Sequence, residues 1–599
     1  MSRLIGILLA AGATLAAATR PVVMGTHGMA VSGHPLAARA GVKMLEMGGN
    51  AIDAGVAQVF AQAVLEFNLF GFGGECPILI YSARDKKVHA ISGQGVAPKA
   101  ATLEWFRQRN ISLIPDDGYL PATTPVVLDS LVVALDRFGS LTLAQVMAPA
   151  IDLADSGFPM YAGFRNGIRS MEKRLREEWP SSARVFLPGG KVPEVGDVFV
   201  QKDLARTFQR LAEAERKNRR KGRSAALRAA RDLFYKGEIA REIVKFQRDF
   251  PVRDSTGFVS AGLFTEEDLA SYQARVEEPA RVTYRGYEVY KAGFWSQGPV
   301  LLQMLNLLEG FDLVSLKQNS ADYVHLLAEA AKLAYADREH YYGDPDFVQV
   351  PARGLLSKEY AAERRKLIQM ARASMELAPG NPFPHEGTPV TGGAPLSSLT
   401  LRPGEKGTTG TRAADREGNL FSATPSGGWF RTSPILEGLG FVLSTRGQIF
   451  WLDPAKANSL QPGKRPRTTL TPSLALKNGQ PFLVFGTPGG DEQDQINLQF
   501  FLNVVEFGMD PQEAIDAPNF QIAHFPSSFF PRKASPGEIG VEGRFPAATL
   551  EDLGRRGHLV KVEGEWSGGD VTAILVDLRR GVLFGAASPR RDKSYALGW

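Results

Sequence analysis

Cys76 is the only cysteine in this 599-residue chain. An intramolecular disulfide is therefore excluded, and so is a cysteine-based metal cluster. The redox compartment cannot be read from disulfides. The chain also lacks a strong charge of either sign. Its 69 Lys and Arg stand against 64 Asp and Glu, a net of +5. That balance calls for no nucleic-acid partner. Long apolar runs are missing beyond the N-terminus, so no stable membrane span is expected. No fixed-period repeat, nucleotide loop or metal cluster stands out, and no cofactor is called for. What remains is 44% hydrophobic and 22% charged, an ordinary globular composition long enough for a large core.

The N-terminus is apolar but short. After Met1-Ser2-Arg3, "LIGILLAAGATLAAA" runs uncharged from Leu4 to Ala18. It has the length of a signal-peptide h-region and ends in small residues. Residues 1–19 thus read as a signal peptide of a periplasmic or secreted protein. The alternative is an extension upstream of a cytoplasmic protein that begins near Arg20.

Patterning suggests mixed α/β structure. "HPLAARAGVKMLEMGGNAIDAGVAQVFAQAVLEF" gives two helical runs around the break Gly48-Gly49, with apolar residues at three- and four-residue intervals. "PILIYSARDKKVHAISG" reads as two strands around a charged turn. Helices dominate from about Thr142 to Leu367. Short strands and Gly/Pro turns follow Gly407. Eight Lys or Arg fall between Arg216 and Arg231. They suit an anionic contact less well than a solvated helical insertion. Leu377 to Gly407 is rich in Pro, Gly and Ser and reads as an exposed linker.

That linker ends at "EKGTTGTRAADREGNLFSATPS". "TTGTRAAD" and "NLFSATPS" flank "REG", a three-residue hairpin loop with Gly418 at its left-handed position. Asp415 then pairs with Asn419, and Thr408 comes opposite Ser426, hydroxyl to hydroxyl. Pro425 keeps this end of the hairpin out of a deep ladder. Strand filler is the bland reading of Thr408-Thr409. The chemical reading is a cut between Gly407 and Thr408. It would free an α-amine of pKa about 7.7–8.0. Thr408 would then supply nucleophile and base in one residue. The same hydroxyl could make the cut, and a glycine before it crowds the attack least. Thr409 would face the other side of the strand.

Several motifs in order carry a resemblance. "RPVVMGTHGMAVSGHPLAARAGVKMLEMGGNAIDAGVA", "GFGGECPILIY", "AKLAYADREHYYGDPDF", "GKRPRTTLTPSLAL" and "FGTPGG" are similar to those of the γ-glutamyltranspeptidase family of N-terminal nucleophile hydrolases. The similarity runs from about Arg20 to Trp599. It implies a four-layer αββα sandwich within the α/β (α+β) class. It implies a large subunit, 20–407, and a small catalytic subunit, 408–599. It makes Thr408 the nucleophile, with Asp415, Gly418 and Asn419 at the family's intervals. Ser426 stands for a second threonine that bonds the nucleophile. Thr468 and Thr469 match substrate-contacting hydroxyls. Gly489 and Gly490 match the oxyanion hole, where bare glycines let backbone N–H groups approach a developing O⁻.

The chain departs from the family where a γ-glutamyl head group would sit. Gln94 in "QGVAP" replaces an arginine that grips the α-carboxylate, and an amide cannot replace a bidentate guanidinium. Ile449 replaces the aspartate that holds the α-amino group. Arg446 stands where the family has Gln or Glu, and Glu75 where it often has Gly. The segment from Phe450 to Lys464 is shorter than many lid loops, which suggests a more open site. Trp429, Phe430, Phe450 and Trp451 add aromatic surface near the nucleophile or pack in the core. "TRGQIFWLDP", "ATPSGGW" and "KRPRTTLTP" look closest to the branch of oxamate amidohydrolase and related acylases. The expected substrate is a small amide whose acyl group carries a carboxylate and no α-ammonium. An authentic γ-glutamyltransferase and glutathione hydrolase is the alternative. An unprocessed binding protein on the same fold is a third reading.

Overall fold

The structure is a computed structural model that describes residues 18–387, 407–591 and 593–599. All but Ala18 and Thr19 of the candidate signal segment, and residues 388–406 of the linker, lie outside the described residues.

Two seven-stranded antiparallel sheets form the centre. In one, the order is Val23–Gly25, Val582–Ala587, Thr572–Asp577, Gln480–Gly486, Ser473–Lys477, Tyr287–Lys291, Ala280–Tyr284. In the other it is Tyr595–Gly598, Gly28–Ser32, Thr411–Asp415, Leu420–Ala423, Ile78–Ser82, Lys87–Ile91, Val276–Glu277.

Period-two alternation stacks these sheets. Leu79 and Tyr81 point into a shared apolar layer with Leu474, Val484, Ile574 and Val576 of the other sheet. Their neighbours Ile78 and Ile80 point the opposite way, onto the helix Ala51–Leu65. Leu483 and Phe485 likewise point away from the shared layer, onto the helices Pro299–Leu308, Ala321–Tyr341 and Gln493–Val505. Each such side chain contributes about 1.5–3 kcal/mol of burial. The result is helix, sheet, sheet, helix, the αββα sandwich.

Local signals place the elements. The Gly48-Gly49 break separates helices Pro35–Glu46 and Ala51–Leu65. Asn50 caps the second in a reciprocal capping box with Asp53. The charged turn joins Ile78–Ser82 to Lys87–Ile91. The "REG" hairpin forms in the expected register, with Gly418 at φ +87° and the Asp415 amide donating to Asn419 O at 3.3 Å. Its Asp415 carboxylate also accepts from the Ala51 amide at 2.9 Å, tying the hairpin to the helix N-terminus. Regular pairing stops at Thr411 opposite Ala423, so Thr408 sits just beyond the ladder.

Two expectations need refinement. The linker is not loose at its start: Gly380 N–H donates to Asp337 and Gly380 O accepts from Tyr341. Gly407, at its other end, is buried. The basic segment is helical, as the solvated reading had it, but Arg231 turns inward to Asp129 at 2.6 Å.

Candidate active site

The hairpin delivers Thr408 to the end of the central sheet, where three loops meet. Thr408 Oγ1 lies 3.1 Å from Ser426 Oγ. Both hydroxyls donate to Gly407 O, each at 2.6 Å. Gly489 O lies 3.3 Å from Thr408 Oγ1. The carbonyl on which Thr408 would act thus carries two hydroxyl contacts. Glycine at 407 is required by space. A Cβ there would sit 2.8 Å from the Trp429 indole nitrogen and 3.2 Å from Leu69 Cα. Crowding from Trp429, rather than ease of attack alone, selects this residue.

Gly489 adopts φ +125°, a conformation that L side chains rarely take. Among the described residues, neither the Gly489 nor the Gly490 amide N–H has an intramolecular acceptor. A buried network holds this loop from below. Gln297 Nε2 donates to Gly490 O at 3.2 Å, and Arg338 Nη1 donates to Gln297 Oε1 and Asp491 Oδ1 at 2.7 and 2.6 Å. Arg338 and Arg467 share the Glu339 carboxylate. Both side chains on that carboxylate hold it below its usual range against the opposing effect of burial. Thr468 joins the same assembly through its carbonyl, which accepts from the Gln297 amide at 2.8 Å. Its hydroxyl accepts from Leu470 N–H, whereas the buried Thr469 hydroxyl has no partner.

Glu75 is the residue whose part the sequence conceals. Its backbone pairs with Ser426 in both directions, at 2.8 and 3.0 Å. Its carboxylate accepts from Arg446 Nε at 3.3 Å, from Thr123 Oγ1 at 3.3 Å and from Ser444 Oγ. Burial raises the Glu75 carboxyl above its usual range despite Arg446. The cation expected at Arg446 is thus paired with an anion supplied from 371 positions away. One guanidinium nitrogen, Arg446 Nη2, is buried and unpartnered. The guanidinium lies 5.8 Å from the Phe529 ring centre. Phe529, Trp429, Arg431, Arg174, Asp116 and Asp117 line a cavity of about 250 Å³, and the Trp429 indole in its wall also borders Gly407.

The remaining predicted positions divide. Gln94 is fully buried; its side-chain amide donates only to Gly95 O and leaves Oε1 unpartnered, while its backbone carbonyl accepts from the Tyr272 hydroxyl. It makes no hydrogen bond to Thr408, Ser426 or Arg446. Ile449 is buried in the short turn Arg446–Ile449. Phe430 packs in the core against Phe186 and Phe164, and Phe450 in a smaller apolar cluster. Trp451 stacks under Arg532, and Trp429 alone of the four aromatics borders both Gly407 and the cavity.

Thr409 faces away from this site, as the strand period requires. Its hydroxyl donates to Glu66 Oε2 at 2.7 Å and accepts from Gln62 Nε2 at 3.0 Å. Glu66 is paired with Lys593. Burial opposes the charge on Glu66, but Lys593 prevails and holds the carboxyl below its usual range. Burial pushes the nearby His34 down to about 4. Arg591 Nη1 donates to Thr408 O at 3.3 Å.

Residues 37–598 match the family model described as Gamma-glutamyltranspeptidase. The chain belongs to that family. As a γ-glutamyltranspeptidase-family protein it is an amidohydrolase or acyl transferase. The glutathione hydrolase proenzyme of Bacillus subtilis (strain 168) is 32% identical to it over 612 residues, spanning 99% of this chain and 97% of that one. The solved structure of LmbA2991HD is 43% identical with TM-score 0.91, covering 97% of this chain and 100% of its own. Cephalosporin acylase from Bacillus halodurans is 31% identical with TM-score 0.83, covering 99% of each. No helix among the described residues is long and apolar enough to cross a membrane.

Proposed function

We propose that this protein cleaves itself between Gly407 and Thr408 and then hydrolyses small amides through an acyl-enzyme on Thr408. The observation that carries this reading is the convergence of Thr408 Oγ1, Ser426 Oγ and Gly407 O within 3.1 Å, beside the Gly489 peptide. In the first reaction Thr408 Oγ adds to the Gly407 carbonyl carbon, and the Ser426 hydroxyl polarises that carbonyl. The C–N bond breaks, its nitrogen gains the proton, and an ester remains. Water hydrolyses the ester, leaving a Gly407 carboxylate and a free Thr408 amine. Subunits 20–407 and 408–599 result. Arg591 on Thr408 O and the Glu66–Lys593 pair on Thr409 keep the new terminus in place.

In turnover the Thr408 amine takes the hydroxyl proton, and Thr408 Oγ attacks the substrate carbonyl. The Gly489 and Gly490 amides face the developing oxyanion, a contact worth about 3–4 kcal/mol in comparable sites. The amine returns the proton to the leaving nitrogen, and water releases the acyl group as an acid.

The acyl group carries a carboxylate and lacks an α-ammonium. Arg446 supports this: its Nη2 has no partner, and its Nε is held by Glu75, whose backbone pairs with Ser426. The names of relatives such as glutathione hydrolase favour a second reading, a γ-glutamyl substrate. An ammonium would then need an anion, and Glu75 already serves Arg446, Ser444 and Thr123. Glutaryl-p-nitroanilide and γ-glutamyl-p-nitroanilide differ only by that ammonium. We expect kcat/KM at least tenfold higher for the glutaryl compound. Equal or reversed preference would overturn the substrate assignment and leave the nucleophile untouched.

A further inference from the structure

Outside the Thr408 site, the fold assembles three ligand-bearing side chains from two distant stretches of the sequence. His325 and Glu329 stand four residues apart on the helix Ala321–Tyr341, hence on one face. His558 follows the helix Ala547–Arg555 and meets them across 233 positions. One ligand atom from each of the three residues lies within 4.8 Å of the others, and all three residues are buried. His325 Nδ1 and His558 Nε2 are 2.8 Å apart.

The hydrogen bonds assign the protons. His325 Nε2 faces Gln369 O at 3.0 Å, so it carries hydrogen and Nδ1 has a lone pair. His558 Nε2 must then donate to it, which leaves His558 Nδ1 as a bare acceptor. That atom is buried and has no partner. Moving the proton from His558 Nε2 to Nδ1 gives both rings a lone pair toward one point. Glu329 already accepts from Lys332 Nζ on Oε1 at 2.6 Å, and Ser374 N–H reaches Oε2 at 3.2 Å. Oε2 retains a free lone pair. A histidine bound to metal through one nitrogen usually donates the other to a carbonyl, as His325 does to Gln369. Two imidazoles on one tetrahedral Zn²⁺ have nitrogens roughly 3.3 Å apart, given Zn–N of about 2.0–2.1 Å. The pair would have to open only slightly. Gln369, Glu329 and Lys332 also line a cavity of about 380 Å³, which gives an ion an entry path and a water as fourth ligand.

We propose that His325, Glu329 and His558 form a divalent transition-metal site, with Zn²⁺ the best-matched ion. Bound there, the ion clasps the helix Ala321–Tyr341 to the His558 segment. The test uses untagged full-length protein stripped with a chelator and titrated with Zn²⁺ by calorimetry. One ion per chain is expected, with at least tenfold weaker binding in His558→Gln and in Glu329→Gln. Co²⁺ should give visible bands of a four-coordinate nitrogen–oxygen site, absent in His325→Gln. Zn²⁺ should raise the Tm of the wild type and leave that of His558→Gln unmoved. Cooperative unfolding of each variant confirms that it is folded. Failure of the folded wild type to bind, or binding that survives the His325→Gln/His558→Gln double change, overturns the site.

Discussion

Thr408 and Thr409 are neighbours in the chain and live in opposite electrostatic worlds. Around the Thr408 hydroxyl the contacts are neutral: a serine hydroxyl and two glycine carbonyls. Around Thr409 lie a buried carboxylate, a lysine and a histidine stripped of its charge. A strand turns successive side chains to opposite faces, so one hairpin can serve both settings. The neutral face leaves a hydroxyl able to act. The charged face anchors a segment that, on the proposed cut, becomes a chain terminus. The charges around Thr409, together with Arg591 on the Thr408 carbonyl, hold the segment while the nucleophilic hydroxyl keeps neutral partners.

The largest expected effect comes from the neutral face. Thr408→Ala should leave a single full-length band on denaturing gels and lower acyl turnover by at least about 10⁴-fold, as loss of a nucleophile does elsewhere. Two bands of about two-thirds and one-third of the mass in that variant would break the contrast. The charged face should dominate pH dependence instead. Burial lowers His34 from 6.5 to about 4, so the unfolded chain binds a proton in that window and the folded one does not. Stability therefore falls as pH drops from 6.5 to 4, by about 3 kcal/mol. Glu66, held low in the fold, adds to the loss below 4.5. Plots of Tm against pH should be flatter between 6.5 and 4 for His34→Gln. The smallest effect is expected for Thr409→Val, which loses a hydrogen bond to a charged group worth about 1.5–3 kcal/mol. Its Tm should fall while its gel still shows two bands. A Thr409→Val chain that is folded yet uncleaved would move Thr409 into the reacting site.

Much of the local structure could be read from residue order. The Gly48-Gly49 break, the charged turn before Lys87 and the "REG" loop each rest on contacts within a few positions. The pairing of Thr408 with Ser426 followed from counting along that hairpin. Other features depend on distant partners. Glu75 stood out as unusual, and so did Arg446, but nothing in order or spacing joined them. Phe430 and Phe450 read in the sequence as either pocket or core aromatics, and they pack as core among side chains from distant parts of the chain. Gln94 sits where an arginine is expected, yet its side chain bonds only to Gly95 of its own loop.

By itself the sequence determined the mixed α/β alternation and the hairpin, which follow from periodicity and local hydrogen bonding, and its ordered motifs carried the resemblance that pointed to the family, the αββα sandwich and the hydroxyl on which the chemistry is proposed to turn. Only the tertiary structure decided that Arg446 is paired with Glu75, that Thr409 rests on Glu66 and Lys593, and that His325 meets His558. Such contacts form between charges and rings hundreds of residues apart. Burial in the packed interior gives them their strength, and linear order carries no trace of it.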